Sequence, residues 1–275
     1  MQPLDWHLIN TQGLEAVPAR LLRARANAHA RTLAQAQWLV RRKRDGRFLG
    51  AIAQGRLRPL SPALWREPGL GELLDALGAA PERAGLAPSL PLEGLRERLH
   101  QLGLDASYGD TTGLALVAEP ARLEFAGRDR YRRPLWLLAP AARAWRRMQA
   151  AAVTEGVVLQ AISGYRSHDY QLGIFERKLA RGLTLADILA VNAAPGYSEH
   201  HGGCTMDIST PGEPAAEESF ETTPAFAWLC RRAGDFGFVM SYPRGNPHGI
   251  VYEPWHWRWH AGPRDAGAAV NPASA

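Results

Sequence analysis

Cysteine is scarce in this sequence: Cys204 and Cys230 are the only two in 275 residues. Two thiols cannot build a disulfide framework, and a chain of this length can bury a core without one. Long apolar runs are missing too. No stretch approaches the roughly 18 uninterrupted apolar residues of a membrane span, so no membrane span is expected. The first residues, Met1-Gln2-Pro3-Leu4-Asp5, have neither a basic start nor an apolar run, so no secretory signal is recognisable there. Internal repeats are absent as well.

What remains is the composition of a globular protein, 46% apolar, sized for one large domain or two ordinary ones. Its formal charge of +5 is unevenly spread: residues 1–60 hold 11 Lys/Arg against 3 Asp/Glu, densest at Arg41-Arg42-Lys43-Arg44. Such a face suits an anionic membrane, nucleic acid or an acidic wall polymer. Equally, it suits the solvated C-terminal end of a helix.

Residues 14–44 read as a long Ala/Leu/Arg helix stopped by Asp45-Gly46. Leu70, Leu73, Leu74 and Leu77, then Leu92, Leu95, Leu99 and Leu102, have the spacing of two shorter amphipathic helices. The region 1–110 is therefore expected to be mainly helical and basic. From about residue 111 helices alternate with strands. Leu138, Ala141, Trp145, Met148 and Ala152 form one helix stripe ending near Glu155-Gly156, and Val157 to Ile162 follows as a buried strand. Asp169 suits an N-cap, Thr223-Pro224 opens another helix, and Phe236 to Met240 and Ile250 to Tyr252 are strand candidates. Residues 262–275, rich in Ala, Gly and Pro, read as a flexible tail.

Nine histidines are present, and His168, His200, His201, His248, His256 and His260 fall within about a hundred residues beside Asp207 and Glu253. In Ser198-Glu199-His200-His201-Gly202-Gly203-Cys204-Thr205-Met206-Asp207 the glycine pair allows a tight turn, so that imidazole and carboxylate can converge. In Glu253-Pro254-Trp255-His256 the two polar groups are three apart, which on a regular strand would aim them at opposite faces. Pro254 interrupts the ladder, and a bend there would bring both to one side. Two His and one Asp leave a fourth metal position for water, and a neighbouring carboxylate could deprotonate that water. A Trp-rich strand with solvated polar residues accounts for the same letters.

These blocks resemble the VanY-type D-alanyl-D-alanine carboxypeptidases, which share their metal motifs with D-Ala-D-Ala dipeptidases, L,D-carboxypeptidases and murein endopeptidases. One motif falls on Ser198, His200, Gly203, Thr205 and Asp207, and a second on Glu253, Trp255 and His256. Ser163-Gly164-Tyr165-Arg166-Ser167 followed by Gln171 resembles the substrate-side segment, and the likeness covers about residues 115–261. It implies Zn2+ on His200, Asp207 and His256, with Glu253 as general base. It also implies Arg166 at the substrate or oxyanion, and Gln171 and Ser198 seating the substrate. His201 and His260 stand outside the motif. The sequence departs from the pattern at Gly202 and Cys204 and in its ending Trp259-His260-Ala261.

The implied fold is α+β, a small central antiparallel sheet with packed helices over 111–261. The implied activity is removal of a C-terminal D-amino acid from a peptidoglycan stem peptide or muropeptide. A murein endopeptidase, a D-Ala-D-Ala dipeptidase and a catalytically silent wall-binding module anchored by the basic region are the alternatives. No nucleic acid partner is expected, and the resemblance implies the cell envelope or periplasm.

Overall fold

The protein is described by a computed structural model over residues 6–24, 26–79, 88–105 and 107–262. The start Met1 to Asp5 and the expected tail from residue 263 onward lie outside the described residues. Two antiparallel sheets dominate. In the first, β1 (His7–Asn10), β2 (Leu14–Pro18), β3 (Trp38–Arg42), β4 (Phe48–Ala53), β5 (Arg56–Pro59), β6 (Arg122–Arg128) and β7 (Pro134–Leu137) lie in the order β5-β4-β3-β2-β1-β6-β7. In the second, β8 (Gln160–Ser163), β9 (Thr205–Ser209), β10 (Phe238–Met240) and β11 (His256–Trp259) lie in the order β10-β11-β9-β8. The expected α+β domain with a small antiparallel sheet is present.

The mainly helical N-terminal region is not. Residues 14–44 hold β2, β3 and between them only the short α1 (Asn27–Gln35), which buries none of its residues. Pro18 has no N–H and cannot sit inside a helix. Trp38, Leu39 and Val40 are bulky and β-favouring, and they pair with Pro18, Val17 and Ala16 of β2. Helix propensity differs by only about 0.7 kcal/mol per residue among ordinary residues. Burial of Leu14, Ala16, Val40 and Leu49 in a common core outweighs it. The Leu-periodic segments do form helices, α2 (Leu70–Gly78) and α3 (Leu95–Gln101), followed by the short α4 (Ser107–Thr112).

The basic run is correspondingly not a solvated helix end. Arg41 pairs with Glu15 at 2.6 Å, Arg42 with Asp45 and Glu67, and Lys43 with Glu119 at 2.6 Å, leaving only Arg44 mostly exposed.

In the second half, α5 (Ala139–Thr154) carries the expected stripe. Trp145, Met148 and Ala152 pack on Met206, Ile208 and Trp257 of the small sheet and on Leu135 and Leu137 of the large one. One helix thus joins the two sheets. α6 (His168–Leu179) is capped by Ser167, whose Oγ accepts from Tyr170 N, and not by Asp169. Asp169 is drawn instead to Arg98 at 2.7 Å. The short α7 (Leu185–Leu189) follows. Thr223 caps α8 (Pro224–Arg232) as expected. Ile250–Tyr252 is not a strand: Val251 N donates to Ala190 O, Ile250 enters a separate core, and pairing resumes only beyond Pro254.

A buried polar network ties the large sheet to the segment before α6. Glu119 accepts from Lys43, Asn10, the Tyr165 hydroxyl and the backbone N–H of His168. Burial alone would raise the Glu119 carboxyl. The Lys43 ammonium, helped by His168 and Tyr165, outweighs it and holds the group at about 2.

Lys43→Met is expected to cost about 3–5 kcal/mol in urea unfolding, because it strands a buried charge. Adding Glu119→Gln should recover much of that loss. Since the folded pKa is depressed, the contribution is complete above an unfolded value of about 4.3 and disappears as pH falls toward the folded one. The melting temperature of Glu119→Gln is therefore expected to fall less steeply than that of the parent chain across that acid window.

Candidate metal centre and active site

Three strands bring Ser163, Asp207 and His256 into one row. β8 pairs Ser163 with Asp207 across a bulge, and β11 pairs His256 with Asp207. Side chains opposite one another in an antiparallel pair share a face. His200 arrives from the tight turn Glu199–Gly202, closed by Gly203 at φ +67°. A Cβ on Gly203 would lie 2.4 Å from Leu123 Cδ2 and 3.2 Å from the Leu138 N, so only glycine fits. The expected role of the glycine pair is thus filled chiefly by its second member.

The ligand atoms of His200, Asp207 and His256 lie within 4.8 Å of one another, and all three residues are buried. His200 Nδ1 donates to Gly164 O at 2.8 Å, which turns its Nε2 toward Asp207 Oδ1, 3.4 Å away. His256 Nε2 faces Glu199 Oε2 at 3.0 Å, which turns its Nδ1 toward the same Oδ1 at 3.3 Å. Outer partners of this kind hold histidine ligands in one tautomer. Asp207 Oδ2 accepts from Ser163 Oγ, while Oδ1 is buried without a hydrogen-bond partner.

The electrostatics call for a cation at that point. Burial would raise the Asp207 carboxyl, but the two imidazoles hold it well below the usual carboxylate range. Burial would lower His256, but Asp207, Glu199 and Glu253 push it up to about 10. A proton on Nδ1 meets that demand, and so does a metal ion displacing it. Two imidazole nitrogens, one orphaned carboxylate oxygen and fixed outer partners fit a divalent ion with room for further ligands.

Glu253 stands beside this group. A turn in which His256 N donates to Glu253 O brings its Oε2 to 3.3 Å from His256 Nδ1. The bend expected at Pro254 is therefore present. Burial, with Asp207 adding to it, pushes the Glu253 carboxyl up to about 7, into the range of a working acid/base.

A cavity of about 280 Å³ opens over these residues, and Arg166, Gln171 and Ser198 line it with His200, Asp207, Glu253 and His256. Arg166 Nη1 donates to Gln171 Oε1 at 2.8 Å, and Gln171 Nε2 donates to Ala193 O at 2.8 Å. The guanidinium is thereby held on one wall. All seven residues singled out in the sequence meet at one cavity.

His201 lies outside the ligand group, with Nδ1 against Arg166 O and Nε2 accepting from Gly196 N. It braces the loop that carries Arg166. Sequence reasoning missed Glu199, which holds both His256 and Arg258. Arg258, two residues after His256 on one strand, was its only visible signal. It also missed Lys178, which lines the cavity seven residues beyond Gln171 on the same face of α6, and Tyr242, whose ring lies 4.6 Å from that of His256. Cys204 and Cys230 are both free, and burial pushes the Cys204 thiol up to about 11, away from nucleophilic use.

Residues 135–262 match the VanY family, described as D-alanyl-D-alanine carboxypeptidase. YodJ of Bacillus subtilis (strain 168) is 40% identical over 123 residues, covering 43% of this chain and 44% of its own. A D-alanyl-D-alanine carboxypeptidase of Enterococcus faecalis (strain ATCC 700802 / V583) is 33% identical over 119 residues, covering 40% and 42%. Among solved structures, the LD-carboxypeptidase LdcB is 35% identical with a TM-score of 0.43, covering 45% of this chain and 59% of that one. The likeness thus spans less than half the length of these two sequence relatives.

Purified protein is expected to hold about one divalent metal per chain by elemental analysis. His200→Ala, Asp207→Ala and His256→Ala should each lose it, whereas His201→Ala should keep it. Full occupancy in His256→Ala would remove His256 from the ligand set.

Proposed function

We propose that the VanY-type domain at residues 135–262 is a zinc-dependent carboxypeptidase that removes a C-terminal D-amino acid, D-alanine, from peptidoglycan stem peptides. The observation that carries this is the pairing, in one cavity, of a buried Glu253 beside the His–Asp–His group with an Arg166 fixed by Gln171. The family match and the carboxypeptidase name of the Enterococcus relative support the same reading.

Imidazole and carboxylate donors without thiolate suit zinc. His200, Asp207 and His256 would hold it, and when bound it supplies Lewis acidity for the scissile carbonyl and for water. Glu253 accepts the proton of the attacking water and passes it to the leaving amine. Its carboxylate is already inside the cavity wall, so little ordering accompanies the transfer. A carboxypeptidase must also read a free carboxylate one residue beyond the bond it cuts. The Arg166 fork can donate two hydrogen bonds to that group and stays charged, and Lys178 on the same wall adds a second positive charge. Ser198 and Tyr242 line the same cavity. This reading puts the protein's work at the cell envelope.

Glu253→Gln is expected to keep its metal and fold while losing about two to four orders of magnitude in turnover. Since Glu253 works deprotonated, kcat/KM falls as pH drops through its pKa. A bound dication pulls that value below the metal-free one, so the acid limb should lie under pH of about 7. A pH profile of released D-alanine checks this.

Amidating the C-terminus of a D-Ala-D-Ala peptide should lower kcat/KM by at least about 2 kcal/mol. Arg166→Lys should recover only part of the activity that Arg166→Ala loses. Equal cleavage of free and amidated peptides would replace the carboxypeptidase reading with an endopeptidase one.

A further inference from the structure

Tyr242 and Arg166 line the catalytic cavity from opposite edges of the small sheet. In that sheet β8 and β10 are the outer strands, with β9 and β11 between them. Arg166 follows β8, Tyr242 follows β10, and Asp207 and His256 stand on the two middle strands. The His–Asp–His group thus separates the phenol from the guanidinium.

The phenol is held in place yet has nothing to bond. Tyr242 is only 3% exposed and packs in a core with Leu95 and Leu99 of α3 and Tyr108 of α4. Its ring lies 4.6 Å from that of His256, and its backbone carbonyl accepts from Glu253 N at 3.0 Å. Among the described residues its hydroxyl has no hydrogen-bond partner, and it is not sealed in the interior, so it opens on the cavity. A buried tyrosine ordinarily finds a partner for its O–H. Here that partner has to arrive with a ligand. A phenol keeps its proton near neutral pH and can therefore donate.

We infer that Tyr242 is a further catalytic residue, donating a hydrogen bond to the carbonyl oxygen of the bond that is cut. The inference rests on the proposed carboxypeptidase reading. In that reading Arg166 takes the terminal carboxylate, so a group across the metal site from it meets the substrate at the scissile carbonyl or upstream of it. The backbone tie to Glu253 and the ring contact with His256 keep the phenol beside the reacting centre, which favours the carbonyl. Negative charge builds on that oxygen as water adds, and a donor already oriented by packing stabilises it without reorganising. The proton stays on the phenol, and Glu253 remains the group that accepts and delivers protons.

Tyr242→Phe removes only the hydroxyl. It is expected to keep its metal and melting temperature while lowering kcat on acetyl-D-Ala-D-Ala about ten- to hundredfold, with KM changed by less than about twofold. A phosphinate analogue of the same peptide carries a tetrahedral anion at the reacting position. Its Kd by calorimetry should rise at least about tenfold in the variant. The preference for free over amidated peptide, which Arg166 sets, should stay as in the parent. Unchanged kcat and phosphinate affinity overturn the inference. So does a loss confined to KM, which would make Tyr242 part of ground-state binding. A collapse of the preference for free peptide overturns it too, by moving Tyr242 to the carboxylate. Failure of the carboxypeptidase reading shows separately in the parent chain, as neither D-alanine release nor phosphinate binding, and takes the inference with it.

Discussion

The register of β9 against β11 is the constraint on which the rest of the site depends. Setting His256 opposite Asp207 puts an imidazole nitrogen and a carboxylate oxygen 3.3 Å apart on one face. A slip of one residue would turn every side chain of β11 to the other face and take His256 away from Asp207. Other contacts work outward from that pairing. Ser163 and Glu199 orient Asp207 and His256, Gly203 lets His200 return to the same point, and the turn before β11 brings in Glu253. The pairing is held by burial, since Met206, Ile208 and Trp257 alternate with the site residues and face the α5 core.

That core also explains why the N-terminal strands matter to the site. β1 pairs with β6, and β6 with β7, which leads directly into α5. The backbone N–H of Tyr165 donates to Trp136 O in β7, and Gly164 is pressed against Leu135 and Trp136. The Glu119 network adds a buried polar tie from Lys43 to Tyr165 and His168, on either side of Arg166. The loop carrying the guanidinium is thus gripped from both the small sheet and the larger one. A loop held by satisfied buried hydrogen bonds keeps its geometry at little further entropic cost.

Much of the candidate site was legible in the linear sequence because its residues sit at short, fixed separations within two blocks. His200 to Asp207 and Glu253 to His256 are local arrangements, set by a glycine turn and a proline bend. The helices α5, α6 and α8 were legible for a similar reason, since their apolar spacing and caps are local. The N-terminal region was misread because its strongest local signal, helix propensity in an Ala/Leu/Arg stretch, is weak per residue. The decisive signal was long-range: β2 finds its partner in β3 only after a 19-residue excursion containing α1. Asp169 went the same way, drawn from the cap position by Arg98, 71 residues earlier.

By itself the sequence determined which imidazole, carboxylate and guanidinium groups are present in these blocks and how they are spaced, because these are chemical identities set residue by residue. Only the tertiary structure decided which histidine nitrogens face inward, that Glu199 is the partner that turns His256, and that Lys178 joins Arg166 on one wall. It alone turned the basic N-terminal run into a buried tie. The physical reason is that orientation and burial arise from contacts between residues far apart in the chain. Spacing along a sequence carries no information on those contacts until the strands have paired.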